Sequence, residues 1–360
     1  MPFEVDPAIG RAHTLPSAFY TDPALYEASK DRLFARSWQW VGDTDSVKVP
    51  GQTFPFILLE GCLDEPLLFT RDSQDQVRCL SNVCTHRGML VCEGAGNERF
   101  LRCRYHGRRF GLDGKFQSMP EFEGCEGFPS TNDDLVSIPF DTWHQMLFVS
   151  LNPARSLAEW IQPMLDRVGW LPLGEFVHDP TRGRDYLVKA NWALYVDNYL
   201  EGFHIPFIHA GLNDAIAYED YGVELYERCS LQLAIAKGAE DVFDLPRSSP
   251  DYGRNVSAYY YWVFPNLMFN FYPWGLSINV VRPLAPDLTK VTFIPYVWDA
   301  SKIGRGAGAA LDRVEREDEA VVELVQKGVR SRFYDRGRYS PTRETGTHHF
   351  HRLLVDAMGP

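Results

Sequence analysis

Apolar residues recur at helical spacing in "PALYEASKDRLFARSWQWVG", so residues 1–44 are expected to be mostly helical. From 45 to 155 the texture changes. "FPFILLE", "EPLLFTR", "QVRCLSNVC", "RFLRCRY" and "MLFVSLN" are short β-like runs interrupted by Gly, Pro and Asp. After "NPARS", "LAEWIQPMLDRVGW" predicts a short amphipathic helix, and "YLVKANWALYVDNYLEGFH" passes from strand into a helix ending near Pro206. A polar loop over 237–255 is a candidate lid. It precedes three strand candidates, "VSAYYYWVFP", "NLMFNFYPWGLSINVVRPL" and "KVTFIPYVWDA". "GAALDRVEREDEAVVELVQKGVRSRF" predicts a long helix, and "THHFHRLLVDAMG" a final one. There is no internal repeat. The pattern predicts an α+β chain: an all-β domain (45–155) set between a helical segment (1–44) and a larger domain (156–360) with a sheet and a long C-terminal helix.

A chain of 360 residues exceeds what one core usually serves, in keeping with two domains. Its net charge of −12 comes without a dense basic stripe, which excludes nucleic acid as an expected partner. No apolar run reaches the roughly 18 residues of a membrane span. "MPFEVDPAIG" has neither a basic nor an apolar leader region, so a soluble, cytoplasmic protein is expected. Seven cysteines are an odd number for a disulfide framework and point to metal ligands plus buried thiols.

Two cysteine–histidine clusters stand out in the β-rich part, "CTHRG" (Cys84, His86) and "CRYHG" (Cys103, His106). Each offers one thiolate and one imidazole, so two loops can meet at one inorganic centre. A single zinc would take all four ligands, whereas a Rieske [2Fe–2S] cluster gives both cysteines to one iron and both histidines to the other. Cys-x-His is tight for a zinc knuckle. Gly88 and Gly107 follow the histidines closely and would let backbone N–H groups approach bridging sulfides, which favours the cluster.

The second constellation is "DNYLEGFHIPFIH", with Glu201, His204 and His209 inside nine residues. Glu201 and His204 share a helical face, whereas His204 and His209 diverge by about 500° on a regular helix. Pro206 between them is expected to break the helix and let His209 swing back. Two histidines and a carboxylate on one face of an iron leave positions open for O₂ and substrate, and Glu201 is the obvious carboxylate.

"CTHRG", "CRYHG" and "DNYLEGFHIPFIH" together resemble the α (oxygenase) subunits of Rieske non-haem iron oxygenases, and the likeness runs over most of the chain. The resemblance implies a Rieske domain followed by a helix-grip (START-like) catalytic domain with an antiparallel sheet. It implies that Cys84 and Cys103 bind one iron of a [2Fe–2S] cluster while His86 and His106 bind the other. Met89 and Arg104 replace the extra cysteine pair of respiratory-chain Rieske proteins, and Cys79, Cys92 and Cys125 read as buried thiols. The mononuclear Fe(II) would be held by His204, His209 and, from "EREDEAVVELVQKG", Asp318 rather than Glu201. Glu201 becomes a bridge between His204 and His106 of a neighbouring subunit, and Asn198 a neighbour of the iron.

The same resemblance implies a homotrimer, in which electrons cross from one subunit's cluster to the next subunit's iron. Electrons would come from NAD(P)H through a separate flavin/iron–sulfur reductase, with or without a ferredoxin, since no Gly-x-Gly-x-x-Gly follows a strand here. Tyr260, Trp262 and Phe264 alternate along one strand face and are candidates for the substrate pocket. Glu201 in place of the commoner aspartate tilts the expected substrate towards a small quaternary ammonium compound. An aromatic-ring dihydroxylating dioxygenase, a Rieske electron carrier and a zinc-stabilised binding protein are the competing readings.

Overall fold

A computed structural model describes residues 3–238, 241–308 and 311–359. Two residues of the candidate lid, Ala239 and Glu240, and two of the predicted long helix, Ala309 and Ala310, lie outside them. The chain forms two compact units, Ala35–Ala154 and a second made of Met1–Phe34 with Arg155–Pro360. The division falls at 34/35, not at the expected 44/45. Gln39–Asp43 is a strand paired antiparallel with Met146–Val149, which draws the end of the helical segment into the inserted unit.

The inserted unit holds three small antiparallel sheets, and the four-stranded one runs through Glu65–Arg71, whose middle residues are buried. Its alternating side chains feed two cores: Leu68 packs with Leu80, Leu101 and Phe110, while Leu67 and Phe69 pack with Val47, Leu58 and Leu147. Cys84 and Cys103 belong to the first of these cores. Cys79 is buried as a thiol, but Cys92 is half-buried and Cys125 is exposed, against the expectation for those two.

The larger unit is built on one antiparallel sheet whose central strands are Cys229–Ile235, Val256–Val263, Leu267–Tyr272, Gly275–Ala285 and Leu288–Val297. Register sets Gln232, Tyr260, Asn270 and Ser277 side by side across four strands. Cross-strand neighbours share a face, so this row presents one polar and aromatic surface. Helices Leu157–Val168, Trp192–Tyr199, Leu311–Gly328 and Thr345–Met358 complete the unit. Each start has a local cause where a cap is present. Ser156 and Glu159 form a reciprocal capping box, and the Asn191 side chain accepts the Ala193 N–H. The N-terminal helices Ser17–Thr21 and Pro23–Arg32 belong to this unit, where Tyr20 donates to Asp197.

The candidate lid is tied down where it is described. Asp251 is buried, bonded twice by Arg167 and once by the Tyr259 hydroxyl, and Phe243 packs on Tyr259. No described helix is long and apolar enough to cross a membrane.

Candidate metal centres and active-site cavity

Cys84 and Cys103 sit in two loops with the same backbone closure. In each, the cysteine N–H bonds the carbonyl five residues on (Met89, Arg108), and its carbonyl accepts the N–H of the glycine four residues on (Gly88, Gly107). Those glycines have φ of +72° and +78°, a left-handed turn that disfavours a Cβ. The loops are also tied to each other. The Asp133 carbonyl accepts from the Thr85 hydroxyl at 2.8 Å and from Arg108 at 3.2 Å, and the Asp133 carboxylate holds the buried Arg108 at 2.6 Å.

The four donors divide by environment. Cys84 and Cys103 are 3% and 2% exposed, whereas His86 and His106 lie towards the surface with ring centroids 4.7 Å apart. Burial pushes the Cys84 thiol up, and the adjacent Cys103 adds to this, so a cationic centre is needed to keep thiolates there. Among the described residues only His204, His209 and Asp318 form a set of three or more such donors lying within 4.8 Å of one another. The cysteine–histidine quartet therefore spreads wider than a single ion's coordination sphere. That suits a two-iron cluster, not one zinc.

The segment carrying the two histidines folds differently from the helix its spacing suggested. The helix ends at Tyr199, and Glu201 closes the next turn by accepting the N–H groups of Phe203 and His204. A short helix, Ile205–Ile208, then carries Pro206 in its first turn, where a missing N–H is harmless. Pro206 starts a helix rather than breaking one. His209 leaves it with φ −110° and ψ 73°, and this redirects its ring beside that of His204, centroid to centroid 5.1 Å.

Both imidazoles are oriented by carboxylates. His204 Nδ1–H donates to Glu201 at 2.6 Å and His209 Nδ1–H to Glu317 at 2.8 Å, leaving both Nε2 atoms facing Asp318. Asp318 Oδ1 lies 3.0 Å from His209 Nε2 and 3.4 Å from His204 Nε2, and it accepts from Asn198 Nδ2 at 2.7 Å. Donors sharing one ion through bonds of about 2.1 Å at roughly 90–110° lie about 3.0–3.4 Å apart. The triad fits a mononuclear metal, and Glu201 is turned away from that point. Without a metal, burial lowers the His204 pKa, but Asp318 and Glu201 more than offset this and raise it to about 9.

A cavity of about 110 Å³ opens on the triad. Tyr195, Tyr199, Tyr221, Tyr260 and Tyr272 supply aromatic walls, Gln232, Asn270, Ser277 and Asn279 polar ones, and Glu201, Glu315 and Asp318 line it as well, burial pushing the Glu315 carboxyl well above the usual carboxylate range. Of the three predicted pocket aromatics only Tyr260 lines it. Trp262 lies in the same strand-face series but further along, packed against Phe350 and Phe264, and its indole N–H donates to the Pro265 carbonyl. Alternation found the face, and helix packing decided where the cavity stops.

Several residues escaped the sequence reading. Glu317 orients His209, Glu315 is buried, and Arg108 and Asp133 tie the cluster loops. Only the spacing of Glu315 to Asp318, one helical turn apart, signals any of this.

Comparison with known proteins rests on these features. Residues 37–129 match the family model of the Rieske [2Fe-2S] domain, and residues 169–359 that of the ring hydroxylating alpha subunit (catalytic domain). The chain belongs to the Rieske non-haem iron oxygenase α subunits.

This Rieske oxygenase is 32% identical to the chloroplastic choline monooxygenase of Arabidopsis thaliana over 98% of its own chain and 85% of that protein. It is 28% identical to the carnitine monooxygenase oxygenase subunit of Escherichia coli (strain K12), over 96% and 94%. Its fold is shared with the quaternary ammonium Rieske monooxygenase CntA in complex with L-carnitine (TM-score 0.75, 22% identity, 98% and 97% covered). Naphthalene 1,2-dioxygenase with indole bound is similar at TM-score 0.71 and 17% identity, covering 95% and 91%. The α+β architecture is thus that of a Rieske oxygenase terminal component, an enzyme whose cofactors are a [2Fe–2S] cluster and a mononuclear iron, and which takes electrons from a reductase.

Proposed function

We propose that this Rieske oxygenase hydroxylates a small quaternary ammonium compound at a carbon beside the nitrogen, or removes a methyl by hydroxylating it. The observation that carries the reading is the lining of the cavity. It has aromatic faces and carboxylates, and no lysine or arginine among its described lining residues. Tyrosine ring faces attract an alkylammonium, and no cationic side chain among the described lining residues opposes it. The small volume, well under the roughly 300–1,000 Å³ of drug-sized sites, favours a compact substrate over a polycyclic one. Relatives named choline and carnitine monooxygenases support the same class.

In this reading Cys84, Cys103, His86 and His106 hold the cluster, and His204, His209 and Asp318 hold the iron. When bound, the cluster supplies single electrons and the iron supplies O₂ activation. The overall reaction takes R–H, O₂, two electrons and two protons to R–OH and water. The residues of the chain set the stage for it. Glu201 and Glu317 hold the Nδ1 protons of the two histidines, so that each presents its Nε2. Asn198 fixes the Asp318 carboxylate. The assembly proposed is a homotrimer, with Glu201 meeting His106 of the next subunit as the electron bridge.

Metal analysis of anaerobically purified protein tests the assignment: about three irons and about two acid-labile sulfides per chain are expected. Asp318→Ala should fall to about two irons with the Rieske absorption unchanged. A colourless zinc protein overturns the centre assignment. With a reductase supplied, O₂ uptake coupled to product from choline, carnitine or glycine betaine supports the substrate class, and turnover of naphthalene alone overturns it.

A further inference from the structure

Four polar side chains of the sheet line the cavity, and they are not equivalent. Gln232 is spent: its Nε2 donates to the Tyr199 carbonyl, and its Oε1 accepts the Tyr221 hydroxyl at 3.4 Å. Asn270 and Asn279 are held at one end only. The Tyr199 hydroxyl donates to Asn270 Oδ1 at 2.6 Å, and the Ser277 hydroxyl donates to Asn279 Oδ1 at 2.9 Å. With a hydroxyl on each amide oxygen, the NH₂ group is the end left over. Neither Nδ2 has a hydrogen-bond partner among the described residues, and neither is among the fully buried polar atoms that lack one. The two residues are only 3% and 4% exposed, so the surface their amides keep is in the cavity that both line. Asn270 stands opposite Ser277 across Leu267–Tyr272 and Gly275–Ala285, and Asn279 follows Ser277 two positions on, which puts both amides on one face.

We propose that Asn270 and Asn279 are specificity-determining residues for the second end of the substrate, their amide N–H groups donating to a carboxylate carried a short chain away from the quaternary nitrogen. The inference rests on the reading of this cavity as a quaternary ammonium site. Two donors on one face match the two oxygens of a carboxylate, whereas an alcohol offers a single oxygen. A carboxylate only accepts, and these amide ends only donate. No lysine or arginine stands among the described lining residues, and a zwitterion brings its own counter-charge, so neutral donors suffice. A substrate that is hydrocarbon at this end would leave both donors unpaired, which is costly for buried groups.

Calorimetric binding to the full-length, iron-loaded protein under anaerobic conditions tests this without turnover. The probes are glycine betaine, isobutyltrimethylammonium, which puts two methyls in place of the carboxylate oxygens, and 3,3-dimethylbutanoate, which keeps the carboxylate and lacks the cation. The wild type should bind glycine betaine at least about tenfold tighter than isobutyltrimethylammonium. Asn270→Leu and Asn279→Leu each remove a donor at similar volume and should erase most of that preference. Affinity for isobutyltrimethylammonium, iron content and Rieske absorption should stay unchanged. Where a leucine form does not fold, the alanine form at the same position is read in its place. Equal binding of the two ammonium probes by the wild type, a preference that survives in both variants, or a loss of affinity for both probes alike overturns the role of the amides and leaves the substrate class standing. A wild type that binds 3,3-dimethylbutanoate as tightly as glycine betaine overturns the quaternary ammonium reading itself.

Discussion

Asn198 Nδ2 donates to Asp318 Oδ1 at 2.7 Å, joining residues 120 positions apart at the atom both histidines face. The bond fixes which oxygen of Asp318 points at the Nε2 pair. It also ties the helix Trp192–Tyr199 to the helix Leu311–Gly328 at the point where the two imidazoles and the carboxylate meet.

Removing it should loosen the aspartate without deleting a ligand. Asn198→Ala is expected to lower activity or mononuclear iron affinity by about 10–100-fold while the Rieske absorption stays intact. Iron content measured beside turnover with a reductase checks this. Full activity and full iron loading would show that Asp318 is held by its packing alone.

Glu201 bonds His204 but does not point at the metal position. Glu201→Gln should therefore keep both metal centres, yet slow reoxidation of the reduced cluster by substrate and O₂ by about 100-fold or more, as expected when a positioning carboxylate loses its charge. Stopped-flow absorption follows the cluster. Loss of the mononuclear iron in this variant would make Glu201 a ligand and displace Asp318 from that role.

The metal-free triad stores a proton. His204 titrates at about 9, because Asp318 and Glu201 outweigh the effect of burial. Below that pH a divalent cation must displace the proton, so binding at pH 7 should release at least one proton per chain, and affinity should fall as pH falls. The sign for stability is the reverse of that of a depressed acid. The imidazolium contribution is complete below the unfolded histidine value of about 6.5 and disappears as pH rises through about 9. Melting temperatures of the chelator-treated protein should drop across that window. A flat profile would mean that the ring is neutral.

His351 is 1% exposed and meets three partners: its Nε2–H faces Asp197 at 2.7 Å and the Tyr20 hydroxyl at 3.1 Å, and Nδ1 accepts the Tyr339 hydroxyl at 2.5 Å. Tyr20 bonds the same aspartate at 2.9 Å, so three segments converge one residue before Asn198. His351→Ala leaves buried groups unpaired and should cost about 2–4 kcal/mol, a fall of roughly 4–16 °C in melting temperature for a unit of this size. Differential scanning calorimetry on the full chain reads it.

The sequence by itself determined the candidate ligand pairs that are neighbours in the chain. Cys84 with His86, Cys103 with His106, and His204 with His209 each lie within one turn or loop, so their spacing was legible before any fold. Strand alternation likewise identified the sheet face that carries Tyr260. The tertiary structure decided whatever depends on what a helix packs against. Glu315, Glu317, Asp318, Glu319 and Glu323 crowd a single helix, about 100° apart per residue, and composition cannot rank them. Packing against Tyr195, His209 and Asn198 gives three of them different surroundings: a buried acid at the cavity, an imidazole partner and the carboxylate that both Nε2 atoms face. Phe350, forward in the chain, likewise fills the space beside Trp262 and closes the cavity short of it. Periodicity names a face, and only contact with the rest of the chain gives that face its chemistry.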